Sequence, residues 1–472
     1  MKKRTCIVAT MGPASSSKDT IKELIQNGVN VFRLNFSHGT HASHFEYIKN
    51  IREASEELNA HIGILGDLCG PKIRVGKFPN GPVELKNGAT FFLSENHDLP
   101  GNEEGVGTSY PYLTKDIKPG NQVLLDDGNI TLEAIEIKED KVFFKVLDGG
   151  ILKDKKGMNM PGIPLSIETI TDKDKEDLRF MVEQNLDFVA LSFVRKADDL
   201  IQLKKLAQNE NLRIIAKIEK PEALDELEKI LDHCEGIMIA RGDLGVELPI
   251  QQVPVIQRHI LERCCKRGKP VITATQMLES MIENQRPTRA ETTDVFNAIV
   301  EGSDAVMLSG ETASGKHPVE AVKMMTSIAL EAEKLCTRNT ELLDHLLPEV
   351  ERNIEEVIAH AACESAMDLN AKYIVPFTFS GNTAQYISKY HPPIPIIALT
   401  PRKETCRRLS LSWGVTPILV NEMNNTDEMI TSSEKILVDK KLAEKGDIIV
   451  IVAGAPLGIK GGTNLLKIQK VK

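Results

Sequence analysis

The chain has 472 residues, 41% of them apolar and 26% charged, with a formal net charge of −9. That length exceeds one compact core and sets an expectation of several domains in a globular protein of ordinary composition. One Trp, six Tyr and an acidic balance argue against a nucleic-acid partner, which demands a basic field and stacking platforms, but not against small anionic substrates.

From the N-terminus, Met1-Lys2-Lys3-Arg4 precedes an apolar run that is interrupted by Thr10 and ends at Gly12-Pro13. The run is too short for a signal peptide and no later segment reads as a membrane span, so the expected location is cytoplasmic. Short Val- and Ile-rich runs then recur at 5–10, 29–34, 62–67, 188–192, 213–218, 236–240, 271–275 and 305–309, most of them followed by a helical pattern. Continuous apolar runs fit parallel strands buried on both faces, with the helices as crossovers. The stretch 19–27 shows the pattern: Ser17 or Lys18 starts a helix, Ile21, Leu24 and Ile25 form its stripe, and Gly28 stops it. Eight such units are the signature of a closed (β/α)8 barrel of the TIM type.

Between the third and fourth runs the rhythm breaks, and the turn dipeptides become Asn87-Gly88, Pro119-Gly120, Asp127-Gly128 and Gly149-Gly150. An inserted small β-barrel of antiparallel strands is expected over 71–166, with the barrel domain on either side at 1–70 and 167–345. Its place in a βα loop sets it over the active face of a barrel, where it would act as a lid. After Cys336 a polar stretch with Pro348 leads to runs at 373–377, 394–399, 416–420, 448–453 and 465–468, read as a C-terminal three-layer α/β domain over 346–472. The eight cysteines (Cys6, Cys69, Cys234, Cys264, Cys265, Cys336, Cys363 and Cys406) form no C-x-x-C pair and no His-rich cluster, so neither a zinc site nor a disulfide framework is expected.

Polar residues gather where the barrel runs end: Arg33 to His38, Asp67, Ser192, Lys217-Ile218-Glu219, Arg241-Gly242-Asp243 and Thr275-Gln276. Charges at the ends of buried strands need partners or a ligand, and several on one barrel face make a site. Glu219 and Asp243 are hard oxygen ligands suited to a Mg²⁺ shared with substrate oxygens. Arg33 offers a planar fork for phosphate, and Lys217 a compact charge able to follow a moving phosphoryl group. Gly242 lets backbone N–H groups approach a carboxylate, while Ser192 and Thr275 supply hydroxyls to hold a water or relay a proton. These types describe an anionic substrate with a phosphate and a carboxylate, held on a divalent metal. Gly310 to Lys316 matches the start of a Walker A loop, but His317 stands where Ser or Thr is required and the strand-to-helix context is that of a barrel, so it reads as a decoy.

The runs VFRLNFSHG from Val31, GPKIRVG from Gly70, KKGMNMPG from Lys155, AKIEKPEAL from Ala216, GIMIARGDLGVELP from Gly236, ATQMLESM from Ala274, RPTRAETTDVFNA from Arg286 and MLSGETASGKHP from Met307 strongly resemble pyruvate kinase. The resemblance covers nearly the whole chain. It implies transfer of a phosphoryl group from phosphoenolpyruvate to ADP, giving pyruvate and ATP. Arg33 then resembles the arginine on the substrate phosphate, and Lys217 the lysine that stabilises the phosphoryl group in transit. Glu219 and Asp243 match the Mg²⁺ ligands, with Mn²⁺ as an alternative ion. Gly242, Asp243 and Thr275 match contacts to the substrate carboxylate, and Ser192 a hydroxyl near the enolate. Asn35, Phe36, Ser37, His38, Arg74 and Lys156 match positions near the nucleotide.

The resemblance also implies a homotetramer and a phosphorylated effector held by the loop Thr378, Ser380, Gly381, Asn382 and Thr383. Many members need K⁺ at positions matching Asn35, Ser37, Asp67 and Leu68. Here Leu68 replaces a Thr or Ser and Lys72 replaces a Glu, so the lysine is expected to supply the charge of that ion. Two rival readings exist: a Mg²⁺-dependent lyase or aldolase acting through a pyruvate enolate, which has no use for Arg74 or Lys156, and a non-catalytic sensor, which should lack one of Arg33, Lys217, Glu219 or Asp243.

Overall fold

The computed structural model describes residues 3–336, 353–423, 425–456 and 462–472. Eight parallel strands, Cys6–Thr10, Val31–Asn35, Gly63–Asp67, Phe188–Leu191, Arg213–Ile218, Gly236–Ala240, Val271–Ala274 and Ala305–Leu308, close into a barrel in sequence order. Their residues alternate between two apolar layers. Val8, Val31, Leu65, Phe188, Ile215 and Ile272 fill the barrel, while Ile7, Phe32, Ile64, Val189, Ile214 and Val271 meet the outer helices. Burial on both faces is why these strands read as unbroken apolar runs. The first helix is Lys18–Gln26, capped by Ser17, whose Oγ accepts the Thr20 N–H at 3.1 Å. Val29 lies outside the second strand because its N–H closes that helix on Leu24 O at 3.1 Å.

The inserted segment carries a six-stranded sheet of Thr90–Ser94, Gly105–Gly107, Gln122–Leu125, Ile130–Lys138, Lys141–Asp148 and Met158–Asn159. Its pairs are antiparallel except Thr90–Ser94 with Gly105–Gly107, which is parallel. Arg74 bridges Gly157 at one edge and Val75 bridges Thr108 at the other, so this short segment stitches the two free edges together. A separate core of Phe91, Leu93, Tyr110, Val123, Leu132 and Phe144 fills it. Gly88, Gly120 and Gly128 turn at φ of 82°, 88° and 88°, as their dipeptides predict. Gly149-Gly150 makes no such turn. A Cβ on Gly149 would lie 2.0 Å from Leu85 O, so close strand approach is what requires glycine there.

In the C-terminal domain the strands run Val415–Leu419, Ile396–Thr400, Tyr373–Pro376, Ile448–Ala453 and Leu465–Lys470 across the sheet, the last one antiparallel. Ile374, Ile396 and Val450 pack one face and Val375, Ile397 and Ile451 the other, giving three layers. The domain docks under the barrel, at the ends where strands begin. Leu411 (2% exposed) joins the side chains that fill the barrel interior. Ser410 Oγ sits where a Cβ on Gly63 would be, and Gly414 N–H donates to Arg4 O at 2.9 Å.

The architecture is the α/β class expected: a TIM-type barrel, an inserted β unit and a C-terminal α/β domain. The join placed at 345/346, Pro348 and the Cys336 side chain lie outside the described residues. Among the described residues the remaining seven cysteines are free, and no helix is long and apolar enough to cross a membrane.

Candidate active site

At the opposite, C-terminal mouth of the barrel the strand-end residues converge on Asp67, the last residue of its strand and 1% exposed. Its Oδ2 accepts Arg33 Nε at 2.7 Å and pairs with Arg33 Nη2 at 2.6 Å, while Oδ1 lies 3.2 Å from Lys217 Nζ. Arg33 Nη1 donates to Thr10 Oγ1 at 3.1 Å. Lys217 Nζ also reaches Glu219 Oε1 at 2.9 Å and donates to Ser192 Oγ at 2.7 Å, whose proton goes to Leu68 O at 2.7 Å. Arg33, Lys217, Ser192 and Glu219, drawn from three further strands, thus form one buried network.

Its electrostatics follow from burial and charge. Burial alone would raise the Asp67 carboxyl, but Lys217 and Arg33 outweigh it and hold the group below the usual carboxylate range. Burial alone would lower Lys217, but Asp67 and then Glu219 push it up and keep it cationic. Glu219 is different: burial and the like charge of Asp243 raise it against the pull of Lys217. A divalent cation shared by Glu219 and Asp243 would relieve that repulsion, so this donor pair suits Mg²⁺. Among the described residues no group of three or more His, Cys, Asp or Glu is placed to hold a metal. Two carboxylates leave most coordination positions to substrate and water, as expected for Mg²⁺.

Asp243 and Gly242 lie in the first turn of Arg241–Glu247, directly after the sixth strand. Gly242 N–H donates to Thr275 Oγ1 at 2.8 Å, and Thr275 Oγ1 donates to Ala274 O at 2.6 Å. Thr275 itself has φ of 67°, a strained conformation for a β-branched residue. The surroundings enforce it. Arg241 Nη2 donates to Thr275 O at 2.9 Å, and its fork is locked on Asp294 by two bonds of 2.7 Å. Buried Glu311 accepts the N–H groups of Leu278 at 3.0 Å and Ser309 at 2.7 Å. The sequence reading assigned no role to Asp294 or Glu311; both sit in helices after their strands, and only their presence in the quoted runs marked them.

An open cleft separates this mouth from the inserted unit and is lined by Lys72, Asp127, Asn159, Arg195, Lys220 and Asp243 among others. Asn159 of the inserted unit donates to Glu247 Oε1 at 2.8 Å, which also pairs with buried Lys220 at 2.6 Å. Arg74 and Lys156 lie on the inserted side: Arg74 Nη1 donates to Lys155 O at 2.8 Å and Lys156 pairs with Asp126 at 2.6 Å. Asn35, Phe36, Ser37 and His38 lie on the barrel side, His38 exposed. Phe36 is 2% exposed: its ring stacks on His44 at 4.3 Å, its N–H donates to Asp67 O at 3.0 Å and its carbonyl accepts Lys173 Nζ at 2.7 Å, so it is a packing residue rather than a ligand contact. Asn35 Oδ1 accepts the Ser37 N–H at 3.1 Å, Leu68 is buried, and Lys72 is exposed at the cleft.

Elsewhere, the Walker-like run folds as a short helix, Gly310–Ala313, and Lys316 pairs with exposed Glu283, forming no phosphate cradle. In the C-terminal domain, Gly381 N–H donates to Thr378 Oγ1 at 3.0 Å and Asn382 N–H to Ser380 Oγ at 3.4 Å, while Thr383 Oγ1 lies 2.9 Å from Thr463 Oγ1. Thr405 Oγ1 holds this loop through Phe379 O at 2.7 Å.

The pyruvate kinase barrel domain matches residues 2–322, and the pyruvate kinase α/β domain matches 356–469. A pyruvate kinase of Geobacillus stearothermophilus is 44% identical over 100% of this chain and 81% of its own length. One from Clostridium perfringens is 43% identical over 99% of this chain and 100% of its own. A crystal structure of a pyruvate kinase from Cryptosporidium parvum superposes with a TM-score of 0.93 at 39% identity, covering 100% of this chain and 96% of that one.

Proposed function

The chain belongs to the pyruvate kinase family, and on that premise we infer that it transfers the phosphoryl group of phosphoenolpyruvate to ADP, yielding pyruvate and ATP. The observation that carries the residue roles is the Asp67-centred network, which aims Arg33 and Lys217 at one mouth beneath the cleft. Arg33 binds the substrate phosphate; Lys217 neutralises the phosphoryl group in flight and the enolate left behind. The Gly242 and Asp243 turn and Thr275 orient the carboxylate. Ser192 and Thr275 hold the water that protonates the methylene carbon. Glu219 and Asp243 would hold Mg²⁺, or Mn²⁺ in its place, which when bound supplies Lewis-acid stabilisation of the transferring and enolate oxygens. Arg74 and Lys156, with Asn35, Ser37 and His38, receive the nucleotide, and the unit over 71–166 acts as its lid. The matched relatives are named pyruvate kinases, which supports this transfer and not the lyase reading.

The family generally needs Mg²⁺ and K⁺. For this chain we propose independence from K⁺, because buried Leu68 lacks the hydroxyl of the matching family ligand and Lys72, four residues on, puts an ammonium at the cleft where a carboxylate stands in those relatives. The assay measures ATP formed from phosphoenolpyruvate and ADP with Mg²⁺ and tetramethylammonium as the only monovalent cation. Full turnover is expected there, with little gain when K⁺ is added at constant ionic strength. Lys72→Glu with Leu68→Thr should create a K⁺ requirement. Strong K⁺ activation of the unaltered enzyme would reject the substitution of lysine for the ion, and no ATP under any cation would reject the function itself.

A homotetramer, a cytoplasmic location and an effector phosphate on the loop 378–383 complete the proposal. Phosphorylated metabolites should shift phosphoenolpyruvate saturation, and Ser380→Asp should erase that shift by charge repulsion. Activation that survives Ser380→Asp unchanged places the effector elsewhere.

A further inference from the structure

Under the barrel, the guanidinium groups of Arg52 and Arg407 close on one buried carboxylate, and two further arginines, Arg213 and Arg408, lie beside it. Asp187 (2% exposed) precedes the fourth barrel strand. Its Oδ2 accepts Arg52 Nη2 at 2.9 Å and the Ile64 N–H at 3.0 Å, and its Oδ1 accepts Arg407 Nε at 2.7 Å. Arg213 opens the neighbouring strand with its N–H on Asp187 O at 3.2 Å, and its guanidinium meets Glu235 only at 4.0 Å. Arg407 and Arg408 end the helix Lys403–Arg408 of the C-terminal domain.

Arg408 is the unexplained member. It is 9% exposed, and among the described residues it makes no hydrogen bond or ion pair; its Nε is buried with no partner. Burial first, and then the charge of Arg213, disfavour its cation. Glu404, on the same helix, is exposed, and Asp187 is already engaged by Arg52 and Arg407. A buried Nε–H without an acceptor is unfavourable, whereas a tetrahedral dianion offers several acceptors to two planar forks at once.

We propose that a phosphate dianion, either inorganic or carried by a phosphorylated metabolite, binds between Arg408 and Arg213 and ties the C-terminal domain to the barrel base. This site is distinct from the loop 378–383. The helix Lys403–Arg408 touches both, through Thr405 on Phe379 O and through Arg407 on Asp187.

The test is heat unfolding of the full chain in phosphate against chloride at matched ionic strength. Phosphate also stabilises proteins generally by exclusion from their surface, so the difference between variants is what is read. A specific rise of about 1–3 °C is expected in the unaltered protein and in Ser380→Asp. It should vanish in Arg408→Met and in Arg213→Gln, with basal turnover kept in both. A hexose monophosphate that raises the midpoint further than inorganic phosphate at equal concentration identifies a metabolite as the ligand; equal rises identify the free ion. An Arg408→Met protein that is more stable yet keeps the full phosphate response would make Arg408 a packing residue only and overturn the site. Loss of the response in Ser380→Asp, or no specific rise in the unaltered chain, overturns it equally. Should Arg408→Met not fold, Arg213→Gln alone carries the decision.

Discussion

Lys217→Met is expected to lower kcat by about 10²–10³-fold or more, because it removes a preorganised charge that acts on the transition state. Lys217 Nζ sits within 3.2 Å of Asp67, 2.9 Å of Glu219 and 2.7 Å of Ser192, so it is held in place before substrate arrives. Methionine fills the volume but leaves Glu219, already raised by burial and by Asp243, without its cation. The loss should fall on kcat and kcat/KM together, the mark of an interaction made in the transition state rather than in ground-state binding. Single-turnover rates with a circular-dichroism check of folding would measure it. Near-normal turnover in a folded variant removes Lys217 from the chemistry.

For Asp67→Asn the expected result is a loss of stability as well as of activity. One buried carboxylate restrains both Arg33 and Lys217, and removing one partner of such a set typically costs about 3–5 kcal/mol. The urea midpoint of the barrel transition should fall, and Arg33, no longer held at its Nε, should bind phosphoenolpyruvate less well. The pH dependence has a fixed sign. The Asp67 carboxyl lies below its ordinary value in the folded chain, so its contribution is complete above the ordinary carboxylate range and disappears as pH falls through the lower, folded value. The stability gap between the two proteins should therefore narrow on acidification. An unchanged midpoint at neutral pH would show that Glu219 and solvent compensate for the missing charge.

Much of this site is legible in the sequence for a physical reason. A barrel strand buried on both faces holds few charges and places them towards its ends, so Arg33, Asp67, Lys217 with Glu219, and Asp243 stand out against Val and Ile. Helix caps are equally local: the sequence places the helix start at Ser17 or Lys18, and the structure makes Ser17 the cap. Contacts set by distant segments leave no such trace. Arg74 and Val75 join edges contributed by Gly157 and Thr108, and the parallel pairing of Thr90–Ser94 with Gly105–Gly107 is invisible to an alternation that fits either direction. Asp294 steers Thr275 through Arg241, and Glu311 ties Leu278 to Ser309, both from helices, where a carboxylate is ordinary. Phe36 sits inside the most informative run, yet its ring belongs to the core, because a motif fixes a backbone path without saying which side chains face the ligand.

Leu411 gives the molecule an order of assembly. The first strand, Cys6–Thr10, must wait for Ala305–Leu308 before the barrel can close. Its base then remains an apolar well until residue 411 arrives from the α/β domain that follows it in the chain. On the ribosome, the N-terminal two-thirds of this chain therefore remains unfinished while the final third is synthesised, exposing surface that favours aggregation. A nascent chain released before residue 411 leaves that well open to water rather than forming a smaller working enzyme.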